Sequence, residues 1–198
     1  MLRARLSVVA DTASSRFDVA DLDTIYEFIP AQVVNNSIGQ ANNYIIIDKG
    51  KADGIERDMG VISTDGVVGV VADVSRHYSS IISLLHSDSR VGVRFKNNQE
   101  LGSLRWNTNN YRYGLVEDIP THVVLHEGDT VMTSSYSFIF PEDLMVGTVE
   151  TPNVGTSSAL NTARIRFATD FATLRLVYVI RNLHKPELDS LKANFQKE

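Results

Sequence analysis

Apolar and polar positions alternate in short bursts along most of this chain. From Phe28 onward, runs rich in Val, Ile, Tyr and Thr are separated by Gly, Asp and Asn, which is the pattern of many short strands. It predicts strands over 31–35, 43–48, 59–63, 66–74, 79–84 and 91–95, then over 101–106, 111–116, 130–133, 145–150, 162–167 and 174–180. Asp65-Gly66 lies between two apolar runs and marks a hairpin, because Gly reaches positive φ at least cost. The start differs: Leu2, Leu6 and Val9 share one helical face, predicting a short helix, and 11–23 is rich in Asp, Ser, Thr and Ala without a period, predicting a linker. The fold class expected is mostly β with a short N-terminal helix.

One internal similarity is spaced like structure. Asp58 to Ser63 followed by Val68-Gly69-Val70-Val71 resembles Asp129 to Thr133 followed by Val146-Gly147-Thr148-Val149. Each half is an acidic turn, a short strand, a loop and an apolar-Gly-x-Val strand, and the second loop is longer by the insertion Tyr136 to Leu144. Two related six-stranded β barrels in tandem explain the repeat, an architecture shared with trypsin-like proteases, with Gly69 and Gly147 at bends of a small closed barrel.

Composition narrows the function. The chain has 198 residues, 43% hydrophobic and 22% charged, so a sizeable core is expected. It has no cysteine, which excludes thiol catalysis and thiolate metal sites. A net charge of −5, with no segment concentrating Lys and Arg, argues against nucleic acid as partner. No apolar run approaches the ~18 residues of a membrane span.

The candidate chemistry is thin. His122 and His126 have helical zinc-site spacing, but Pro120 and the alternating run between them predict extended chain, where the two stand about 13 Å apart. A serine hydrolase of the tandem-barrel kind would need Ser134 or Ser135 with His77 or His86, yet Thr133-Ser134-Ser135-Tyr136-Ser137 lacks the Gly an oxyanion hole requires. No phosphate-binding fingerprint occurs. No catalytic residue, cofactor or metal is expected. What remains is Tyr136-Ser137-Phe138-Ile139-Phe140-Pro141, where alternation sends Tyr136, Phe138 and Phe140 to one side, into the barrel or outward as an anchor for a partner.

Several ordered motifs carry a resemblance: Asn42 to Gly50, Asp53-Gly54-Ile55, Asp58 to Ile62, Gly66 to Val71, Ser79 to Leu85, Gly128 to Val131 with Thr133-Ser134, and Phe140-Pro141 with Val146 to Val149. Together, from about Phe28 to Ile180, they resemble the extracytoplasmic part of the rod shape-determining protein MreC family. Ser135, Phe138 and Asp143-Leu144-Met145 depart from the small, Gly-containing pattern usual there.

The resemblance implies a non-enzymatic scaffold of the cell-elongation complex. It implies a protein anchored in the inner membrane by a helix upstream of this chain, facing the periplasm, with residues 1–27 ending a coiled coil and its linker. It further implies barrels over 28–97 and 98–182, with the last strands able to return to the first barrel, and a disordered tail over 183–198. The implied partners are the elongation-specific penicillin-binding protein, MreD and MreB, with self-association as a dimer or filament. The expected contact residues are Tyr136, Phe138 and Phe140 for the synthase, and Leu2, Leu6 and Val9 for self-association. A periplasmic adaptor of an efflux or secretion system, and a degenerate trypsin-like hydrolase, are the alternatives.

Overall fold

A computed structural model describes residues 25–107, 110–136, 139–157, 160–185 and 187. The helix expected at Leu2, Leu6 and Val9, and the tail from 188, lie outside the described residues. Twelve strands follow in order: β1 (Tyr26–Asn36), β2 (Asn42–Ile47), β3 (Gly60–Ile62), β4 (Val67–Val74), β5 (Ser79–His86), β6 (Val91–Phe95), β7 (Leu101–Arg105), β8 (Tyr113–Pro120), β9 (Thr130–Thr133), β10 (Met145–Ser157), β11 (Leu160–Phe167) and β12 (Leu176–Asn182). A single 3₁₀ turn, Lys51–Asp53, follows β2.

The strands close into two six-stranded antiparallel barrels, one in the order β1-β12-β3-β4-β5-β2 and the other β10-β11-β8-β7-β6-β9. Closure leaves no unpaired sheet edge. The second barrel is continuous in sequence and is inserted between β5 and β12 of the first. Matching β12 with β6 and β1 to β5 with β7 to β11 makes the neighbour relations of the two barrels identical, so they share one topology up to circular permutation. One expectation is corrected: Val91–Phe95 belongs to the second barrel, which moves the boundary back from residue 97 to the connection 87–90. Of the two courses left open for the last strand, it takes the return to the first barrel and closes it.

Inward residues fill each barrel: Ile45, Ile47, Val61, Val71, Ile81 and Val179 in the first, and Val93, Phe95, Leu104, Val116, Val131 and Ile165 in the second, all buried. Each such side chain contributes about 1.5–3 kcal/mol relative to an exposed one. The internal repeat persists in the hydrogen bonds. The amide of Val71 donates to Met59 O and that of Asp58 to Val71 O, just as Val149 donates to Asp129 O and Gly128 to Val149 O. Asp58 (φ 62°) and Gly128 (φ 89°) are both left-handed. The structural match is thus offset by one residue from the similarity of Asp58 to Asp129: it is Gly128 that stands where Asp58 does.

Hydroxyls pin both hairpins. Ser63 Oγ accepts from the Asp65 and Gly66 amides at 3.2 Å, and Thr133 Oγ1 accepts from the Leu144 amide at 3.0 Å while donating to Pro141 O at 2.7 Å. Gly69 and Gly147 lie against the carbonyls of Ile82 and Arg166 on the next strand, so close that a Cβ at either position would overlap the main chain.

Two segments join the barrels. In the β9–β10 loop, Phe140 is 2% exposed and its ring lies 2.8 Å from where a Cβ on Gly60 of the first barrel would stand. The 168–175 segment crosses back: the Ala168 amide donates to Val146 O, Thr169 Oγ1 to Val67 O, and Asn36 Nδ2 to Phe171 O.

Candidate interaction face

Outward positions of a closed barrel meet water, so alternation predicts polar residues there. The sheet β1-β2-β5-β4 of the first barrel breaks that rule. Of the outward residues of β2, Tyr44 and Ile46 are 43% and 37% exposed beside exposed Asn42, and Val34 at the β1 bulge is 54% exposed. Ile46 pairs with Ser80, Tyr44 with Ile82, and Ile82 with Val70, which makes one apolar strip across three strands. The tight approach of β4 to β5 at Gly69 holds Val70 beside Ile82. Further along the same strands the strip passes into Val68 and Leu84, which are buried. At its edge, His86 is 4% exposed and stands edge-on to the Tyr44 ring, with 5.1 Å between centroids.

The equivalent face of the second barrel carries two arginines. There Tyr113, Leu115, Arg164, Arg166 and Thr148 take the places of Tyr44, Ile46, Ser80, Ile82 and Val70. Arg164 pairs with Glu150 and lies over the Tyr113 ring, and Arg105 pairs with Glu117 at 2.6 Å. Of the ion pairs described in the first barrel, Lys49–Asp53 and Arg181–Glu27 lie off the strip, whereas Arg57–Asp73 borders it, since Asp73 pairs with Ser80 and Ser80 with Ile46.

The aromatic loop is not a single-sided anchor. Tyr136 is 76% exposed and Phe140 is buried between the barrels, so alternation fails across this turn-containing segment. Phe140 is a packing residue rather than a surface contact. Phe138 lies outside the described residues, as do Leu2, Leu6 and Val9. The loop leans on β1: burial, and after it the Glu142 carboxylate, raises the Tyr26 phenol above its ordinary value.

The hydrolase and metal candidates fall on other structures. Ser134 is buried in the second barrel, its amide bonded to Gly92 O, and no histidine hydrogen-bonds to it among the described residues. Both ring nitrogens of His86 are occupied, by Tyr44 and by the Asp88 amide. His122 and His126 are exposed and lie near different carboxylates, Glu100 and Asp129.

Residues 33–181 match the family model described as rod shape-determining protein MreC, barrel core. The chain belongs to the MreC family. A cell shape-determining protein MreC from Listeria monocytogenes is 25% identical over 167 residues, which are 83% of this chain and 57% of that relative. The chain spans about half the length of the curated MreC relatives it matches. Among solved structures, MreC from L. monocytogenes superimposes with a TM-score of 0.73 at 22% identity, covering 91% of this chain and 86% of that one. An MreC chain from Helicobacter pylori, determined in complex with the penicillin-binding protein PBP2, superimposes with a TM-score of 0.63 at 17% identity, covering 80% of this chain and 99% of that one. These likenesses agree with the twin-barrel fold, in an MreC family that determines cell shape.

Proposed function

We propose that this chain is the extracytoplasmic scaffold part of a cell-elongation complex, and that it binds the elongation-specific penicillin-binding protein through the Val34–Tyr44–Ile46–Ile82–Val70 strip. The observation that carries this reading is the strip itself. An exposed apolar sheet face costs solubility unless a partner uses it, and where this face has Ser80 and Ile82 the sister barrel has Arg164 and Arg166. The Helicobacter pylori MreC–PBP2 complex supports the choice of partner. Binding of this kind regulates a transpeptidase only if its conformations differ in affinity for the scaffold. The role is non-enzymatic. Tyr136 is a second contact point on the same reading. Self-association, through Leu2, Leu6 and Val9, and linkage to MreD and MreB complete the proposed assembly, held at the inner membrane by a helix upstream and facing the periplasm.

The test is a titration of this chain against the periplasmic part of the penicillin-binding protein, with light scattering on the free chain. Saturable binding at micromolar or tighter affinity, lost in Ile46→Lys and kept in Arg164→Ala, supports the reading. Binding that survives Ile46→Lys and Ile82→Lys but is lost in Tyr136→Ala moves the contact to the β9–β10 loop. Absence of binding by the folded chain overturns the partner.

A further inference from the structure

The apolar strip ends on a histidine whose two ring nitrogens are both hydrogen-bonded. The main-chain N–H of Asp88 donates to His86 Nδ1 at 3.1 Å, and an N–H can only donate, so Nδ1 carries the lone pair and the ring proton sits on Nε2. Nε2 stands 3.1 Å from Tyr44 Oη, which accepts that proton. Tyr44 is the central residue of the strip. Asp88 lies in the 87–90 connection, one of the two places where the chain passes between barrels, and this connection is wound tightly about His86. The Ser89 amide donates to His86 O, the Ser87 amide to Ala41 O, and Arg90 Nη1 to Ser87 O and Ser89 O.

A second proton on this ring goes to Nδ1 and sets two donors against each other at the Asp88 amide. The hydrogen bond is then lost, and the ring, almost wholly out of water, carries a charge. The ring bonds Tyr44 on β2 and the Asp88 main chain, and Arg90 of the same connection bonds the Ser87 and Ser89 carbonyls. The pairing of β4 with β5 begins at Gly69 opposite Ser83, and Val67 and Val68 before it carry no charge.

We propose that His86 is a proton-operated lock on the apolar strip: neutral, it holds Tyr44 and the inter-barrel connection in the docking arrangement, and protonated it releases both, weakening partner binding. The docking half of this inference rests on the strip being the partner surface.

The test uses the full chain with nitrogen-15 in its histidines and main chain. At neutral pH the ring signals should report the Nε2–H form of His86, and on acidification the Asp88 amide signal should shift in step with the His86 ring. Affinity for the periplasmic part of the penicillin-binding protein should fall about tenfold over the same range. His86→Gln keeps an acceptor and a donor but cannot charge, so it should hold the Asp88 amide and the affinity constant across that range. Should that variant not fold, Tyr44→Phe serves instead: it removes the acceptor at Nε2 and keeps an aromatic ring, and should uncouple the main-chain amide at position 44 from pH while leaving the Asp88 shift. An Asp88 amide that stays put while the His86 ring takes its proton overturns the lock, as does an affinity that falls with pH equally in His86→Gln. No partner binding at any pH, with Asp88 still tracking His86, overturns the docking half and the partner reading together, and leaves the lock as a property of the inter-barrel connection.

Discussion

The two barrels keep the same framework and dress it oppositely. Left-handed Asp58 and Gly128, the hairpin-pinning hydroxyls of Ser63 and Thr133, and Gly69 and Gly147 beside a neighbouring carbonyl all recur at matching positions. The outward residues recur only in part: Tyr44 and Ile46 are matched by Tyr113 and Leu115, but Val70, Ser80 and Ile82 in one barrel stand where Thr148, Arg164 and Arg166 stand in the other. Positions that shape the backbone are shared because closing a small barrel demands them. Positions that face outward are free to answer to whatever lies outside, which is water for one barrel and, on the reading above, a partner for the other.

The comparison can be broken at its strongest point by ending the chain at Ala168. That removes β12, which pairs with both β1 and β3, while β6 to β11 remain whole. Amides of β2 and β5 should lose hydrogen-exchange protection and those of β9 and β11 keep it; persistent protection in the first barrel would show that the insertion is not what closes it. Next, Gly69→Val and Gly147→Val should each cost about 3 kcal/mol, read from urea midpoints, because each forces main chain apart. Tolerance of one but not the other would dissolve the equivalence. Smaller and still paired, Ser63→Ala and Thr133→Val should each cost about 1–2 kcal/mol, since each leaves buried hairpin groups without a partner.

Exchanging the faces sharpens the contrast. Ile82→Arg, which imports the residue of the sister barrel, should shift stability by no more than about 0.5 kcal/mol and abolish partner binding, whereas Arg166→Ile should leave binding alone. The smallest effect concerns acid. The Asp53 carboxylate is held below its ordinary value, first by the hydrogen bond from Lys49 and then by the Gly50 amide. Its contribution to stability is therefore full above the unfolded-state value and is lost as pH falls through the lower folded one, below about pH 4. Asp53→Asn should flatten that part of the first barrel's stability profile, measured by urea melts across acid pH.

All twelve strands were legible as apolar runs, and so was the tandem repeat, because period-two alternation and Gly-punctuated turns are local signals. Barrel membership was not. Val91–Phe95 and the last strand look alike as sequence whichever barrel they join, since pairing of β12 with β1 spans most of the chain and leaves no local mark. The apolar strip lies inside an apolar run, Tyr44 to Ile47, of the strand predicted over 43–48. A strand of a single-cored barrel has one wet side, so the apolar Tyr44 and Ile46 alternating with Ile45 and Ile47 were the available signal. The aromatic loop misled for the opposite reason: alternation was applied to a segment that turns before Pro141, which places Tyr136 in water and Phe140 between the barrels.

The insertion of one barrel into the other also decides how the molecule carries tension. Tyr26, at the start of β1, pairs with Asn182, at the end of β12. A pull on the two flanking chains therefore enters and leaves through adjacent strands and peels them apart from one end, the mode in which hydrogen bonds yield one after another. The second barrel hangs outside that circuit and feels none of the load until the first has opened.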